Sequence, residues 1–450
     1  MATIIILGGG LTGLSAAYHL EQNGFFDYKI YDKEPNAGGL CRSVRQDGFT
    51  FDYTGHLLHI NDPYMDQFVE KNMGGKAAFN KIDRRSFIQS YNMLIKYPYQ
   101  INLHGLPSNV ITECIEEFVK RKQYIKNPKT FHTWVLKHFG AGFSKHFFTP
   151  FQTKLFAYDI KKVTPSWTGR FVPQTSLTQM IDGALNLKKE EKVGYNSTFF
   201  YPKKHGISYI IDQLTQNIRN KVQTEFNVES IDIQNKIVTF ANGDFEQYDY
   251  LVNTIPLDHF LQKIIDRSTT NFKTQHKNLL CNSVLNFNLG INRADLTSKH
   301  WIYFPESQYP FYRLGFPHNF AQSMAPKNCS SLYGECSFLG NTDTETLLKK
   351  AIATTKKLFD IQNSEIITQK IISIPRAYVL YNFWREKNLP NLLAQLEMHA
   401  VKSIGRYGGW KYSSMQESVL DGKQVALELL SQLNQPIIPS TTFEQEPVFK

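Results

Sequence analysis

Residues 3–13 read Thr-Ile-Ile-Ile-Leu-Gly-Gly-Gly-Leu-Thr-Gly, and this stretch decides the fold. Its apolar run predicts a buried strand over residues 3–7, and the apolar spacing after the glycines predicts a helix that ends near Gln22, before Asn23-Gly24. A second strand is predicted over residues 28–31. The glycines therefore occupy the turn of a β-α-β unit, where Gly-x-Gly-x-x-Gly is typical of dinucleotide binding.

Each glycine of this motif has a physical role. Gly8 makes the tight turn, Gly10 lets a pyrophosphate approach the backbone, and Gly13 lets the helix lie close to the strand. The free N–H groups at the start of the helix then meet the phosphates. Asp32 follows Gly13 by nineteen residues, and its carboxylate can accept both hydroxyls of a ribose. A glycine-rich turn without a ligand is the weaker alternative, because the strand, the helix and the acid all match.

The composition is that of a globular protein with large cores. The chain has 450 residues, 42% hydrophobic and 14% aromatic, which suits two or three domains. No apolar run approaches the roughly 20 residues of a membrane span, and the first predicted strand leaves no room for a secretory signal. Five scattered cysteines without Cys-x-x-Cys spacing favour a cytoplasmic location and no metal site. The net charge of +10 is dispersed, which favours a small anionic ligand over nucleic acid.

The rest of the chain alternates between helical and strand-rich regions. Residues 106–187 have the apolar spacing of helices and many aromatic residues, which we expect to form a core. Strands are predicted over residues 223–228, 230–233, 236–240 and 248–254, with an Asn-Gly hairpin turn at Gly243, and again within residues 283–338. A helix is predicted from an Asp343 N-cap to Leu358, and a last helix over residues 421–433.

These patterns predict an α/β fold with three domains: a Rossmann-like dinucleotide-binding domain, an inserted helical domain and an antiparallel sheet domain. The dinucleotide domain is discontinuous and takes residues 1–75, 200–265 and 400–435. The helical domain takes residues 105–195, and the sheet domain takes residues 76–104 and 266–399. Residues 436–450 form a tail.

The segment after the second strand distinguishes FAD from NAD. Residues 32–42, Asp-Lys-Glu-Pro-Asn-Ala-Gly-Gly-Leu-Cys-Arg, resemble the acid-x5-Gly-Gly-x-x-Arg extension of FAD enzymes of the amine oxidase and glutathione reductase type. Residues 405–410, Gly-Arg-Tyr-Gly-Gly-Trp, resemble the closing motif of those enzymes, before a helix whose positive end would face the flavin. The resemblance implies FAD, bound by Gly8, Gly10, Leu11, Thr12, Gly13, Asp32, Gly39, Leu40, Arg42, Gly55, His56, Val228, Arg406 and Met415.

Five stretches over most of the chain resemble the UDP-galactopyranose mutase family, particularly its longer eukaryotic type. They are residues 51–56 (Phe-Asp-Tyr-Thr-Gly-His), 97–102 (Tyr-Pro-Tyr-Gln-Ile-Asn), 167–170 (Trp-Thr-Gly-Arg), 303–313 (Tyr-Phe-Pro-Glu-Ser-Gln-Tyr-Pro-Phe-Tyr-Arg) and 405–412 (Gly-Arg-Tyr-Gly-Gly-Trp-Lys-Tyr). In that family the first stretch lies against the flavin, the second is a strand beside the nucleotide, and the third is a mobile loop that carries an arginine. The block over residues 303–313 is the most specific, because a generic amine oxidase has no reason to keep it.

The resemblance assigns a role to each matching residue. Arg170 and Arg313 would bind the substrate diphosphate, and His56 would lie beside the flavin as the third catalytic residue. The residues that would contact the substrate are Tyr97, Gln100, Gln152, Phe156, Asn196, Tyr303, Tyr378 and Tyr412. The alternatives are that Arg170 is a surface charge, that Arg313 belongs to a structural ion pair, and that His56 is a satisfied polar group near a buried turn.

The sequence departs from the family pattern beside the base and beside the flavin. Gln152 and Phe156 stand where the family has an asparagine and a tryptophan next to the base, which puts uridine itself in question. Thr54 replaces the first glycine of a Gly-Gly-His segment. Residues 413–418, Ser-Ser-Met-Gln-Glu-Ser, replace an Asn-Gln-Asp-His-Ser run, with an apparent shortening by two residues.

The resemblance implies an FAD-dependent enzyme that contracts or otherwise isomerises the ring of a nucleoside diphosphate sugar. Its reduced flavin would be the active form, with N5 attacking the anomeric carbon, and NAD(P)H or a flavin reductase would donate the electrons. Two other functions stay open. A flavin-dependent oxidase or desaturase of the amine oxidase or protoporphyrinogen oxidase type would turn over with oxygen, and a non-enzymatic flavin-bound scaffold would bind ligand without forming a product.

Overall fold

The computed structural model describes residues 2–121, 125–187, 194, 197–265 and 271–437, so Asn196 of the predicted site lies outside the described residues. The strands are β1 (Ile4–Leu7), β2 (Tyr28–Tyr31), β3 (Ser43–Gln46), β4 (Phe49–Asp52), β5 (Phe79–Asp83), β6 (Ser86–Ser90), β7 (Met93–Lys96), β8 (Thr198–Pro202), β9 (Val228–Asp232), β10 (Ile237–Phe240), β11 (Phe245–Gln247), β12 (Tyr250–Asn253), β13 (Ser283–Ile291), β14 (Trp301–Tyr303), β15 (Arg313–Gly315), β16 (Ser330–Phe338), β17 (Ile366–Ile374) and β18 (Val401–Ser403). The α-helices are α1 (Leu11–Gln22), α2 (Pro63–Asn72), α3 (Ser108–Val119), α4 (Phe131–His138), α5 (Gly140–Phe143), α6 (Thr149–Phe156), α7 (Leu177–Ala184), α8 (Ser208–Gln216), α9 (Leu257–Lys263), α10 (Phe272–Gln275), α11 (Thr344–Phe359), α12 (Phe383–Met398), α13 (Gly405–Gly408) and α14 (Met415–Gln432).

The first sheet is parallel, with strand order β18-β12-β1-β2. Its β1, α1 and β2 form the predicted β-α-β unit, in which Ile4 to Leu7 are in register with Tyr28 to Tyr31. Helix α14 returns from the far end of the sequence and lies against α1, where Gly422 leaves room for the backbone of Ala16. The two ends of the chain therefore share one core, and the predicted α/β fold with a Rossmann-like domain is confirmed.

A small antiparallel sheet, in the order β11-β10-β9, follows this core. Gly243 has a φ of 91° in the turn between β10 and β11, as the Asn-Gly signal predicts. The strand predicted over residues 223–228 is wrong, because Gln223 makes a single bridge to Tyr31 and β9 begins only at Val228. Glu225 has a φ of 65°, and this left-handed residue interrupts the extended backbone without a signal in the local pattern.

The predicted helical region contains α3 to α7. Its aromatic stripe is core, as expected: Phe139, Phe143, Phe147, Phe148 and Phe156 are buried and Trp134 is half-buried beside them. A π-helical turn, Ser144–Phe148, joins α5 to α6, and a 3-10 turn, Gly169–Phe171, precedes α7.

A seven-stranded sheet has the order β17-β13-β16-β15-β14-β6-β7, and its pairs are antiparallel, as predicted, except for the parallel pair of β6 and β14. One row of directly opposed residues crosses it, because Tyr303 faces Arg313, Arg313 faces Glu335, and Glu335 faces Asn286. Opposed residues of neighbouring strands project from the same face of a sheet. Asn286 donates from Nδ2 to the carbonyl of Asp52 at 3.2 Å, so this face meets the segment that follows β4.

Two elements differ from their expected form. Tyr99–Ile101 is a 3-10 turn rather than the strand that the resemblance implies, because Asn102 donates its N–H locally to the carbonyl of Tyr99 at 3.2 Å. The last helix begins at Met415 instead of residue 421, because Ser414 and Glu417 form a capping box. The helix predicted from Asp343 is confirmed, and the Asp343 carboxylate accepts the N–H of Thr346.

Candidate active site

The glycines of the dinucleotide turn fall into two kinds. Gly8 has a φ of 104°, and a Cβ at Gly13 would lie 2.0 Å from the carbonyl oxygen of Gly8, so both glycines are required by the turn itself. A Cβ at Gly10 would find its nearest neighbour, Gly39, only at 3.8 Å. A Cβ at Gly10 would thus make only ordinary van der Waals contacts, so this glycine is not required by the turn and leaves its backbone accessible to a pyrophosphate.

Asp32 lies at the end of β2, directly beside this turn. One carboxylate oxygen accepts the N–H of Gly9 at 2.7 Å, and the other accepts the N–H of Glu34 at 2.9 Å. Burial raises the pKa of Asp32, while these two N–H donors and nearby Arg42 oppose the shift. An ionised carboxylate has about four acceptor positions, so two remain for ribose hydroxyls.

Several other predicted cofactor residues lie near this turn or open neighbouring elements. Arg42 donates to the carbonyl of Gly39 at 2.7 Å and pairs with Glu34 at 3.2 Å. A Cβ at Gly405 would lie 2.7 Å from Oγ1 of Thr12, so the closing motif rests on the start of α1. Leu11 is buried there, Leu40 is half-buried, Val228 opens β9 and Met415 opens α14. These residues fit an FAD.

His56 follows a strained turn that comes directly after β4. Thr54 has a φ of 77°, in the left-handed region that glycine favours, which accounts for the glycine at this position in the resembling family. A Cβ at Gly55 would lie 2.2 Å from the hydroxyl of Tyr333. Burial, together with the positive charges of Arg406 and Arg313, lowers the pKa of His56 to about 4. Its buried Nδ1 has no hydrogen-bond partner among the described residues, so a neutral imidazole is available to a ligand.

Arg313 forms a bidentate ion pair with Glu335. Its Nε and Nη2 donate to the two carboxylate oxygens, each at 2.7 Å, and the Glu335 side chain is fully buried. The N–H of Gly55 lies 3.5 Å from the same carboxylate, so the ion pair also contacts the backbone of the segment that carries His56. A structural ion pair was the alternative interpretation of Arg313, and this geometry agrees with it. The Arg313 side chain as a whole is 17% exposed.

Arg406 is a second cation of the site, half-buried and held without a carboxylate among the described residues. It donates to the carbonyls of Ser413 and Ala377 at 2.9 and 3.2 Å. Three tyrosine rings surround the guanidinium at 5.1 to 5.7 Å, those of Tyr378, Tyr407 and Tyr412. Because tyrosines are neutral, the charge of Arg406 stays available to an anion.

The Arg170 segment lies against this tyrosine cluster. The structure describes Arg170 by its backbone alone, within the 3-10 turn Gly169–Phe171. Trp167 stacks on the ring of Tyr412 with centroids 5.6 Å apart, and Phe171 lies 5.3 Å from the same ring. The chain on either side of Arg170 is thereby fixed next to Tyr412.

Tyr97 and Tyr303 border the site on the sheet. Their rings lie 5.3 Å apart, and Phe151 approaches Tyr303 at the same distance. Tyr303 shares its face of the sheet with Arg313, whereas Gln100 is buried and donates to the carbonyl of Pro173 at 2.6 Å. The side-chain amide of Gln100 therefore already has a hydrogen-bond partner within the protein.

The two residues expected beside the base differ in their surroundings. Phe156 is only 1% exposed and packs edge-on against Trp167, with centroids 5.5 Å apart. Gln152, one turn earlier on α6, is buried, and its Oε1 has no hydrogen-bond partner among the described residues. An N–H group of a ligand could satisfy this oxygen.

Three residues that position the site were not predicted from the sequence: Glu335, Lys154 and Asn282. Asn282 is fully buried, accepts the N–H of Tyr378 at 2.9 Å and donates to the carbonyl of Leu155 at 2.7 Å. Lys154 on α6 donates to the carbonyls of Phe304 and Glu306, and burial lowers its pKa to about 7. Both residues join α6 to the site strands through backbone carbonyls, a role for which sequence carries no motif.

The sequence of the chain matches a known protein family and several characterised relatives. The family model of the flavin containing amine oxidoreductases matches residues 11–370, well over half of the chain. The chain belongs to the flavin-containing amine oxidoreductase family. Coproporphyrinogen III oxidase of Staphylococcus aureus is 25% identical over 66% of this chain and 69% of its own length. The 4,4'-diaponeurosporene oxygenase of Staphylococcus haemolyticus is 23% identical over 56% of this chain and 54% of its own.

Solved structures of related fold cover nearly the whole chain of this amine oxidoreductase family member. A reduced UDP-galactopyranose mutase superimposes with a TM-score of 0.89 over 98% of this chain and 96% of its own, at 24% identity. A putative protoporphyrinogen oxidase from Exiguobacterium sp. 255-15 gives a TM-score of 0.74 at 15% identity, over 96% and 99% of the two chains. The fold is therefore shared with both a mutase and an oxidase. Within the described residues, no helix has the length and apolarity to cross a membrane.

Proposed function

We propose that this family member is a nucleoside diphosphate sugar mutase that interconverts pyranose and furanose rings. One observation carries the proposal: Arg313, Tyr378 and Tyr412, which the resemblance assigns to a diphosphate, lie with Arg406 near His56 although they come from distant parts of the sequence. The charges of Arg313 and Arg406 both act on the His56 imidazole, and Tyr378 and Tyr412 lie beside Arg406. A diphosphate is best held by fixed cations and hydroxyl donors, which this site offers.

Each group then has a distinct task. We extend the role of Arg406 beyond the cofactor contact that the resemblance assigns to it: with Arg170 delivered by its turn, Arg406 binds the diphosphate while it is detached from the sugar and until it returns. The hydroxyls of Tyr303, Tyr378 and Tyr412 orient the phosphate oxygens. Neutral His56 lies against the flavin segment and accepts or donates one hydrogen bond without adding charge. FAD in its reduced form would supply a nucleophile for the anomeric carbon.

Glu335 gives Arg313 a different task from Arg406. Because its charge is already balanced, Arg313 contributes the remaining Nη1 donor and a fixed geometry more than net positive charge. We assign Tyr97, Gln152 and Phe156 to the nucleoside, with Phe156 reached only after its cover by Trp167 opens. The reductant would be NAD(P)H or a flavin reductase.

A flavin-dependent oxidase or desaturase is the second candidate. Two observations favour it: relatives in sequence carry the names of an oxidase and an oxygenase, and Arg313 is neutralised by Glu335. An apolar substrate has no use for the unbalanced cation of Arg406, however. The two candidate functions therefore predict different roles for Arg406: a mutase needs its charge to bind the diphosphate, and an oxidase of an apolar substrate does not.

Equilibrium binding of UDP to the FAD-loaded protein tests the proposal. Arg406→Ala should weaken UDP binding by about 30-fold or more, since truncating one partner of a buried charged contact costs about 2–5 kcal/mol. Arg293→Ala, which removes an arginine paired with Glu365 outside the site, is the matched control and should bind UDP normally. Equal UDP affinity of Arg406→Ala and wild type would remove the basis of the proposal.

A further inference from the structure

A cavity of about 940 Å³ lies on the dinucleotide domain and shares no lining residue with the candidate active site. It is a groove between β2, the segment over residues 219–226 and the hairpin of β10 and β11. Its volume lies within the range of about 300–1,000 Å³ that small-molecule sites occupy. We propose that this groove binds a nucleoside phosphate in addition to the bound dinucleotide.

The floor of the groove is aromatic. The rings of Tyr31, Phe226 and Phe240 lie within 4.5 to 5.1 Å of one another, and Phe245 on β11 stands at the rim with 68% of its surface exposed. An aromatic ring exposed to this extent beside an aromatic floor offers a stacking surface for a flat ligand ring. Nucleobases stack on aromatic side chains whatever their identity.

One wall of the groove carries available positive charge. Arg219 and Lys221 line it; the Arg219 guanidinium lies 5.4 Å from the centre of the Phe26 ring, and neither side chain forms an ion pair with a carboxylate among the described residues. Lys29, by contrast, is neutralised by Glu246 at 2.7 Å, and Asp244 on the hairpin is the opposing acid. A phosphate fits the wall of Arg219 and Lys221, away from Asp244.

The same wall is connected to the cofactor site. The N–H of Asp32 donates to the carbonyl of Gln223 at 2.9 Å, and the N–H of Phe226 donates to the carbonyl of Asp32 at 2.9 Å. Residues 223–226 therefore line the groove on one side and hold the ribose-binding acid on the other. A ligand that orders this segment stabilises Asp32 in place, so occupancy of the groove should slow the release of FAD.

Titration of the full-length, FAD-loaded protein with AMP tests the proposal by calorimetry. AMP should bind to wild type, and inorganic phosphate should bind at least tenfold more weakly because it lacks the ring. Arg219→Ala/Lys221→Ala should weaken AMP binding at least tenfold, and Phe245→Ala should weaken it severalfold. Lys350→Ala, on α11 and outside the groove, is the control and should leave the affinity unchanged.

The release of FAD, followed by flavin fluorescence, provides the second readout. Saturating AMP should slow release at least fivefold in wild type and have no effect in Arg219→Ala/Lys221→Ala. AMP that fails to bind at about 1 mM, or binds all variants equally, overturns the proposal. If the double variant does not fold, Phe245→Ala decides, because that ring is exposed. The groove variants leave the candidate active site unchanged, so AMP bound at that site would be equally tight in all variants, and a failure of this proposal does not bear on the proposed function.

Discussion

Arg313 and Glu335 face each other directly across β15 and β16 and share two hydrogen bonds of 2.7 Å. The positive charge that the resemblance assigns to a diphosphate is thus already paired with a buried carboxylate. The cost of removing two charges from water is offset only when the ion pair has good geometry, as in this bidentate pair. Removing one partner leaves the other charge buried without compensation. We therefore expect the ion pair to affect both the stability of the His56 segment and the affinity of the proposed anion site.

Glu335→Gln should destabilise the protein and strengthen anion binding together. We expect a loss of about 3 kcal/mol in the free energy of unfolding, because Arg313 becomes an unpaired buried cation. Saturating UDP should restore part of this loss, since the diphosphate can take the place of the carboxylate. Urea unfolding with and without UDP measures both effects. Glu365→Gln breaks the similar pair with Arg293, and UDP should add no more stability to that variant than to wild type.

His56 should report anion binding through its pKa. Burial and two nearby cations lower that pKa to about 4, so the imidazole is neutral at neutral pH. A bound diphosphate compensates the cations, which raises the pKa of His56 in the complex. The complex then holds more protons than the free protein, so the affinity for UDP should increase as pH falls from 7 toward 5. Imidazole resonances in an NMR titration measure the shift, and an unchanged His56 pKa in saturating UDP would place the diphosphate elsewhere.

Gly10→Val should give a folded protein without flavin. Its Cβ position has no heavy atom closer than 3.8 Å, so the fold tolerates a side chain that blocks the pyrophosphate. Absorbance of the purified protein near the flavin bands, with circular dichroism as the check on folding, measures the result. A yellow Gly10→Val protein would show that the pyrophosphate does not approach this turn.

The base should be selected weakly. Phe156 is covered by Trp167, and Gln152 offers one unpaired oxygen, which both uracil and thymine can meet with an N–H donor. We expect UDP and dTDP to compete with similar affinity. Competition titration tests this, and a preference for UDP of about 100-fold, or 2.7 kcal/mol, would mean that another residue reads the base.

Sequence patterns predicted the structure best where the residues of a motif are close together in the chain. Gly8, Gly10, Gly13 and Asp32 lie within one β-α-β unit, and their spacing alone determines how they meet. The pairing of Arg313 with Glu335 depends on the register of β15 against β16. These two strands are separated in the sequence by a segment without a strand. No local pattern encodes that register, and so the charge balance of the site could not be predicted.

The same distinction holds for the helices. Asp343 is a capping residue at a visible polar-to-apolar boundary, and the helix begins where predicted. Ser414 and Glu417 carry an equally local capping signal, but the glycines before them favoured a later start. Asn282 is a different case, since it joins Leu155 to Tyr378 through two backbone groups that only the folded chain brings together.

Isomerisation by reduced protein under nitrogen tests the central claim most directly. The dithionite-reduced wild type is incubated with UDP- and dTDP-sugars, products are separated by chromatography, and oxygen uptake is measured in parallel with oxidised protein. Arg170→Ala and Arg406→Ala should each lose about 30-fold or more of the turnover, the equivalent of about 2–5 kcal/mol, while Arg293→Ala keeps it. The account predicts ring isomers from reduced wild type, no stoichiometric use of reductant and no sustained oxygen uptake. No isomer from any sugar, with steady peroxide production by the oxidised protein, would contradict it.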